Sequence, residues 1–197
     1  RSQRTRGRTR PRTRRFGRSL GVDLTPFKTC TYDCVFCQLG PTTCKTLERA
    51  DYVSVDAVLK ELSQWLEEDG NADYITLSGS GEPTLHKRFG EVLAFLAENT
   101  VIPTLLLTNG SLLHDDDVAA TAAKADVVKF SLSAWDAQSF QRINRPCPGQ
   151  TFDQVIKGES RFSHASGSET YLEVFLVEGM NAERDQVRRI AARARAI

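Results

Sequence analysis

Three cysteines lie within eight residues of the chain, in the run Cys30-Thr-Tyr-Asp-Cys34-Val-Phe-Cys37. Thiolates in this spacing can wrap one face of a [4Fe–4S] cube, whose protein ligands are usually four cysteines. With three ligands, one iron stays open to a small molecule, and an open coordination position is typical of a working metal site. The spacing therefore predicts a reactive iron–sulfur cluster held by Cys30, Cys34 and Cys37.

The other two cysteines leave further interpretations open. Cys44 would be the fourth ligand of a structural zinc site, but such sites usually present two Cys-x-x-Cys pairs and this chain has one. Cys44 is otherwise an ordinary loop thiol, and Cys147, which stands between two prolines, is either a loop thiol or a substrate-facing one. An odd number of cysteines indicates a reducing compartment, so we expect a cytoplasmic protein.

A second polar run, Ser80-Gly81-Glu82-Pro83, follows an apolar stretch. Gly81 permits close approach of another backbone, and Glu82 supplies an anion that could meet an ammonium group. On its own, a Gly-Glu-Pro sequence indicates a turn and no more.

These residues need elements that bring them together. Five apolar runs read as strands, at 19–24, 74–78, 103–108, 127–133 and 171–177. Helical periodicity separates or follows them, at 53–68, 89–96, 115–124, 136–143, 151–163 and 187–197. Near-continuous apolar strands that alternate with helices predict an α/β fold with a covered parallel sheet. The cysteine loop and the Gly-Glu-Pro run then fall at the carboxyl ends of strands, where such folds bind ligands.

In this arrangement the sequence resembles the radical S-adenosylmethionine (radical SAM) superfamily. The resemblance rests on the Cys-x3-Cys-x2-Cys run after a first strand, on Phe36 before the third cysteine, and on the Gly-Glu-Pro turn after the second strand. It implies a partial (β/α)6 TIM-like radical SAM barrel with about five βα units. It also implies that Gly81 and Glu82 hold the methionine group of S-adenosylmethionine (SAM), and that Phe36 and Ser133 flank its adenosine. Ser131 is a weaker candidate for the ribose contact.

The resemblance narrows to the Fe–S oxidoreductases related to wyosine-type tRNA-modifying enzymes. The stretches that carry it are 14–23, 26–30, 37–40, 143–146 and 177–181. The implied reaction is reductive cleavage of SAM to a 5′-deoxyadenosyl radical, which takes hydrogen from an unidentified substrate, with a tRNA base as a candidate. An external one-electron reductant of the flavodoxin or ferredoxin type is implied, and no amino-acid side chain is assigned a catalytic role. The alternative function is a non-enzymatic iron–sulfur or zinc-binding protein.

Composition and charge limit the class of protein and its domain organisation. With 40% hydrophobic residues a packed core is expected, and no apolar run nears the ~18 residues that cross a membrane, so no membrane partner is expected. Nine arginines and no acidic residue occupy 1–18, and we expect 1–13 to be a disordered leader before a core domain at 14–197. Because the superfamily usually has six βα units, the core is predicted to be truncated before the sixth strand. The strand at 171–177 would then be an exposed, aggregation-prone edge.

Overall fold

The computed structural model describes residues 9–13, 16–68 and 70–197, and folds them around one six-stranded sheet and one two-stranded ladder. The strands are β1 (Thr9–Thr13), β2 (Gly17–Val22), β3 (Thr29–Cys30), β4 (Cys44–Lys45), β5 (Tyr74–Leu77), β6 (Thr104–Leu107), β7 (Val127–Ser131) and β8 (Glu169–Glu173). The helices are α1 (Val55–Glu67), α2 (Phe89–Asn99), α3 (Asp116–Ala122), α4 (Ala137–Ile143), α5 (Phe152–Ala165) and α6 (Arg184–Ala194), with a 3-10 turn at Pro83–Leu85.

The large sheet has the order β1-β2-β5-β6-β7-β8. From β2 to β8 all neighbours are parallel, and at least one helix lies between each pair along the chain. Each of these five strands overlaps one of the five strands predicted from the sequence. The α/β fold class is therefore confirmed.

One face of the sheet is packed against helices. Leu77, Leu106 and Val128 are adjacent in register on three neighbouring strands, and all three are fully buried. Burying a side chain of this size contributes about 1.5–3 kcal/mol, so such rows account for much of the stability of the sheet. The other face is more polar, and Lys129 on β7 forms an ion pair with Glu173 on β8 at 2.8 Å.

The polar face is concave. The ring of Phe16 contacts Tyr74 on β5 and Tyr171 on β8, with 5.4 Å between ring centroids in each case. Since β6 and β7 lie between those two strands, one side chain can reach both only if the sheet curls. This is the curvature of the expected partial barrel.

Two boundaries differ from the sequence prediction. Thr9–Thr13, inside the segment expected to be disordered, pairs as antiparallel β1 with β2 and so covers the outer edge of that strand, while 1–8 lie outside the described residues. The last strand ends at Glu173, whereas the apolar run predicted a strand to 177. β8 pairs with β7, and no other strand of the described residues adjoins it. None of the described helices has the length and apolarity needed to cross a membrane.

Candidate cofactor site

The cysteine loop, 30–37, begins at the end of β3 and is held against the segment 143–147. The amide of Val35 donates a hydrogen bond to the carbonyl of Ile143 at 2.9 Å, and further backbone bonds join the two segments on either side. The loop thus has fixed backbone partners more than 100 residues away in the sequence.

Each of the three sulfurs in this loop accepts a hydrogen bond from a different side chain. Lys28 Nζ donates to Cys37 Sγ at 2.9 Å. The amide groups of Asn109 and Asn144 donate to Cys30 Sγ and Cys34 Sγ, both at 3.5 Å. The donors come from the loop before β3, the turn after β6 and the end of α4. Such donors stabilise negative charge on sulfur, as cluster ligands require.

The three thiols also lie within electrostatic range of one another. Burial, and next the Glu82 carboxylate, raises the pKa of Cys30 to about 11. Burial raises the pKa of Cys34 to about 12, with Cys30 and Cys37 adding to the shift. All five cysteines of the chain are free thiols. A set of neighbouring free thiols with N–H donors fits the residues that a [4Fe–4S] cluster needs.

The geometry does not favour the zinc alternative. In the part of the chain that the structure describes, no three His, Cys, Asp or Glu side chains converge as ligands of one metal ion. Cluster ligation has no such requirement, because each thiolate binds a different iron of the cube. Cys44 is exposed on the short strand β4, and Cys147 Sγ lies 3.9 Å from the carbonyl of Lys45.

The Gly-Glu-Pro turn is joined directly to the start of the cysteine loop. The amide of Lys28 donates to the carbonyl of Ser80 at 2.7 Å, and the amide of Glu82 donates to the carbonyl of Thr29 at 3.0 Å. A Cβ atom at Gly81 would lie 1.9 Å from the Thr29 carbonyl oxygen, so no other residue fits there without moving the backbone. Gly81 therefore permits a close approach, but to the protein's own backbone.

Glu82 is 2% exposed, and its carboxylate accepts four hydrogen bonds. Oε1 accepts from the amide and hydroxyl of Thr84 at 3.1 and 2.6 Å, and from the hydroxyl of Thr108 at 2.6 Å. Oε2 accepts from the amide of Asn109 at 2.7 Å. Burial raises the pKa of Glu82, and these donors oppose the shift. The carboxylate expected to meet an ammonium group thus ties the turn after β5 to the end of β6.

Phe36 and Ser133 both contact Phe175, which follows the end of β8. The Phe36 ring stacks on Phe175, with centroids 4.5 Å apart and planes at 10°. Ser133 is 1% exposed, and its hydroxyl accepts from the amide of Phe175 at 3.0 Å. Asn181, also buried, donates to the carbonyls of Ser133 and Phe175, and this network explains why β8 ends before Phe175. Contact of Ser133 with ribose remains a prediction, and Ser131 has only a lining position in a cavity beside it.

A buried polar group behind the loop was not predicted from the sequence. Glu159 on α5 is fully buried and has no hydrogen-bond partner among the described residues. It lines a small cavity with Tyr32 and Asn144, whose hydroxyl and side-chain carbonyl also lack partners there. Burial raises the pKa of Glu159 well above its ordinary value, and burial and Glu159 together raise that of Tyr32. A sequence signal existed, because Glu159 falls four residues after Val155 on the apolar face of α5.

Other site residues were missed because no local signal marks them. Lys28 and Asn144 stand inside stretches that resemble the family, yet nothing in their spacing points to sulfur. Phe175 was part of a predicted strand. Asp23, whose carboxylate accepts from the amide and hydroxyl of Ser80 at 3.0 and 2.6 Å, anchors the Gly-Glu-Pro turn from the end of β2.

The family model of the radical SAM superfamily matches residues 24–190. This range contains the cysteine loop, the Gly-Glu-Pro turn and the carboxyl ends of the parallel strands β5, β6, β7 and β8. The chain belongs to the radical SAM superfamily. Membership confirms the predicted cofactors, because proteins of this superfamily use a [4Fe–4S] cluster and SAM. It also favours an enzyme over the non-enzymatic alternative.

Two curated relatives resemble the radical SAM chain over most of its length. A protein of Brachyspira hyodysenteriae named GTPase Obg is 38% identical over 175 residues, which are 89% of this chain and 26% of that protein. A UPF0026 protein of Helicobacter pylori is 34% identical over 184 residues, 91% of this chain and 59% of that protein. The chain therefore spans about a quarter and about three fifths of these relatives.

Solved radical SAM structures share the fold. TYW1 with a lysine–pyruvate adduct bound matches with a TM-score of 0.61 at 18% identity, over 88% of this chain and 61% of that one. Native anSMEcpe with bound AdoMet matches with a TM-score of 0.67 at 17% identity, over 89% of this chain and 49% of that one. These matches confirm the expected fold.

Proposed function

We propose that this protein is a radical SAM enzyme in which Cys30, Cys34 and Cys37 hold a [4Fe–4S] cluster with one iron open to SAM. The observation that carries the proposal is the set of three side-chain N–H donors, one on each sulfur. When bound, the cluster and SAM supply reductive cleavage of SAM to methionine and a 5′-deoxyadenosyl radical, which takes a hydrogen atom from the substrate.

The remaining predicted site residues would hold SAM. Gly81 and Glu82 shape the turn that receives the methionine end, and they act through its backbone because the Glu82 carboxylate already has four donors of its own. Phe36 would offer an aromatic surface, and Ser133 a hydroxyl, to the adenosine beside Phe175, which both residues contact. The protein's contribution is to bind and orient the cofactors and to exclude water, while the cofactors carry the chemistry.

The substrate candidate that kinship supports is a tRNA base. The shared fold with TYW1 supports it, as do the nine arginines at 1–18, since clustered arginines neutralise phosphates. A flavodoxin- or ferredoxin-type protein would deliver the electron, and a cytoplasmic location agrees with five free thiols.

The test is 5′-deoxyadenosine release by the anaerobically reconstituted protein with dithionite and SAM. We expect release from the wild type and from Cys44→Ala at similar rates, and none from Cys34→Ala, which should also lose its iron. The exposed Cys44 is the matched control, because it removes a thiol from the neighbouring strand. If Cys44→Ala lost iron as completely as Cys34→Ala, the three-ligand site would be wrong.

A further inference from the structure

Lys28 is a buried lysine whose ammonium contacts a cysteine sulfur. It is 3% exposed, and Nζ donates to Cys37 Sγ at 2.9 Å. A buried ammonium is unfavourable unless an anion compensates for the lost hydration. The Asp33 carboxylate lies within electrostatic range of Lys28 but pairs with Arg145, and no carboxylate of the described residues lies within ion-pair distance of Lys28. A neutral thiol cannot compensate for that loss, whereas a metal-bound thiolate can, so the position suits an anionic sulfur.

The backbone conformation of Lys28 also indicates that its side chain has a function. Its φ is +60°, in the left-handed region that favours glycine. Its amide donates to Ser80, and its carbonyl accepts from the amides of Thr43 and Cys44 at 3.2 and 3.1 Å, so this conformation joins three segments. Glycine would satisfy every one of these backbone contacts with less strain. The feature that glycine lacks is the ammonium on Cys37, and strained residues of this kind persist where a function needs them.

The other two sulfurs have weaker donors. Asn109 and Asn144 are neutral amides, and each lies 3.5 Å from its sulfur. Lys28 is the charged donor of the set and the closest, and charge-assisted hydrogen bonds are shorter and stronger than neutral ones. The electrostatic environment of the loop is therefore asymmetric, with the positive charge at Cys37.

We propose that Lys28 tunes the reduction potential of the cluster by stabilising its reduced state. Reduction adds one electron from the external reductant, with no bond made or broken and no proton moved. The cluster and its ligands become more negative by one charge, and a cation at 2.9 Å from a ligand sulfur stabilises that state more than the oxidised one. The inference rests on the proposed function, because it needs the cluster.

The experiment is a redox titration of the reconstituted cluster without SAM, followed by electron paramagnetic resonance. We expect Lys28→Met and Lys28→Gln to lower the equilibrium constant for one-electron reduction about tenfold, which is ~59 mV. Lys28→Arg keeps the charge and should stay near the wild type. Lys45→Met is the control, because Lys45 adjoins the loop but donates to the carbonyls of Arg145 and Pro146.

Lys28→Gly separates redox tuning from packing. Relief of the left-handed strain should raise its thermal midpoint, or leave it unchanged, while the potential falls as in Lys28→Met. A packing role would instead lower the thermal midpoint in Lys28→Gly and leave the potential alone.

Several results would overturn the inference. Wild-type potentials in both Lys28→Met and Lys28→Gln would contradict it. Failure of both Lys28→Met and Lys28→Arg to load iron would also contradict it, because the site would then require the shape of lysine rather than its charge. A potential about 59 mV lower in Lys28→Gln together with a wild-type potential in Lys28→Arg would support it, even if Lys28→Met loaded no iron. If the wild type itself assembled no [4Fe–4S] cluster, that result would contradict the proposed function, independently of any Lys28 variant.

Discussion

Two glutamates, Glu82 and Glu159, are both almost completely buried, but their surroundings differ. Glu82, at the turn after β5, is 2% exposed and accepts four hydrogen bonds. Glu159, on α5 behind the cysteine loop, is 0% exposed and has no partner among the described residues. Burial raises the pKa of both, but donors oppose the shift only at Glu82.

The difference in hydrogen bonding means that Glu82 stabilises the fold, whereas Glu159 destabilises it. The donors on Glu82 come from Thr84, Thr108 and Asn109, so its carboxylate holds two strand ends in place beside the cofactor site. A buried polar group without a partner instead costs about 1–3 kcal/mol. Glu159 is therefore expected to lower the stability of the fold, in a region that reaches Cys34 through Asn144.

The largest effect is expected for Glu82→Leu. It would leave the donors of Thr84, Thr108 and Asn109 buried and unsatisfied, so the free energy of unfolding should fall by about 3 kcal/mol or more. Urea unfolding of the anaerobic protein would measure it. Glu159→Leu is the matched control and should cost far less, because no donor loses a partner. Equal losses in the two variants would contradict the contrast between the two sites.

Glu159→Gln, in contrast to Glu82→Leu, should raise the free energy of unfolding, and the size of this gain should depend on pH. Above the ordinary pKa of 4.5, an unfolded chain releases this proton while the folded chain keeps it. The unfolded state then binds fewer protons, so the free energy of unfolding falls as pH rises, by up to about 1.4 kcal/mol per pH unit. Glutamine does not titrate, and the variant should therefore gain on the wild type between pH 5 and 7.

Urea unfolding at pH 5, 6 and 7 would measure this gain, with exposed Glu178→Gln as the control that should show none. A difference between Glu159→Gln and the wild type that stayed constant with pH would mean that Glu159 titrates normally.

SAM affinity tests what the Glu82 carboxylate contacts. Direct contact with the SAM ammonium would make Glu82→Gln lose roughly 1.5–3 kcal/mol of binding free energy, as for a charge-assisted hydrogen bond. Because four protein donors already occupy this carboxylate, we expect a smaller loss, below about 1.5 kcal/mol, with unchanged iron content. Calorimetry on the reconstituted protein would decide, and a loss in the full range would indicate the direct contact.

The smallest effect is expected for Tyr32→Phe. The Tyr32 hydroxyl is buried without a partner in the described part of the chain, while its ring packs edge-on against Phe140 with centroids 5.3 Å apart. Phenylalanine keeps the ring contact, so the free energy of unfolding should rise or stay within about 1 kcal/mol. A clear loss in urea unfolding would show that the hydroxyl has a partner, and the double variant with Glu159→Gln would test whether that partner is Glu159.

Much of the fold followed from local pattern. All five parallel strands were predicted because apolar runs and helical periodicity are properties of neighbouring residues. The end of β8 was not, since the apolar run continues to 177 and the strand stops where Ser133 and Asn181 bind the backbone of Phe175. β1 was not predicted because its arginine-rich composition indicated a disordered segment, and composition does not show that the edge of β2 is available for pairing.

At the site, the sequence alone determined the cysteine loop and led to the proposed ligand set, because Cys30, Cys34 and Cys37 lie within eight residues and the chain itself keeps them together. Only the tertiary structure decided what surrounds those sulfurs. The donors to Cys37, Cys30 and Cys34 are 9, 79 and 110 residues away along the chain. Asn109 reaches the loop because it follows β6, and parallel strands place the segments at their carboxyl ends close together. Asn144, at the end of α4, is held there by backbone hydrogen bonds between 143–147 and the cysteine loop.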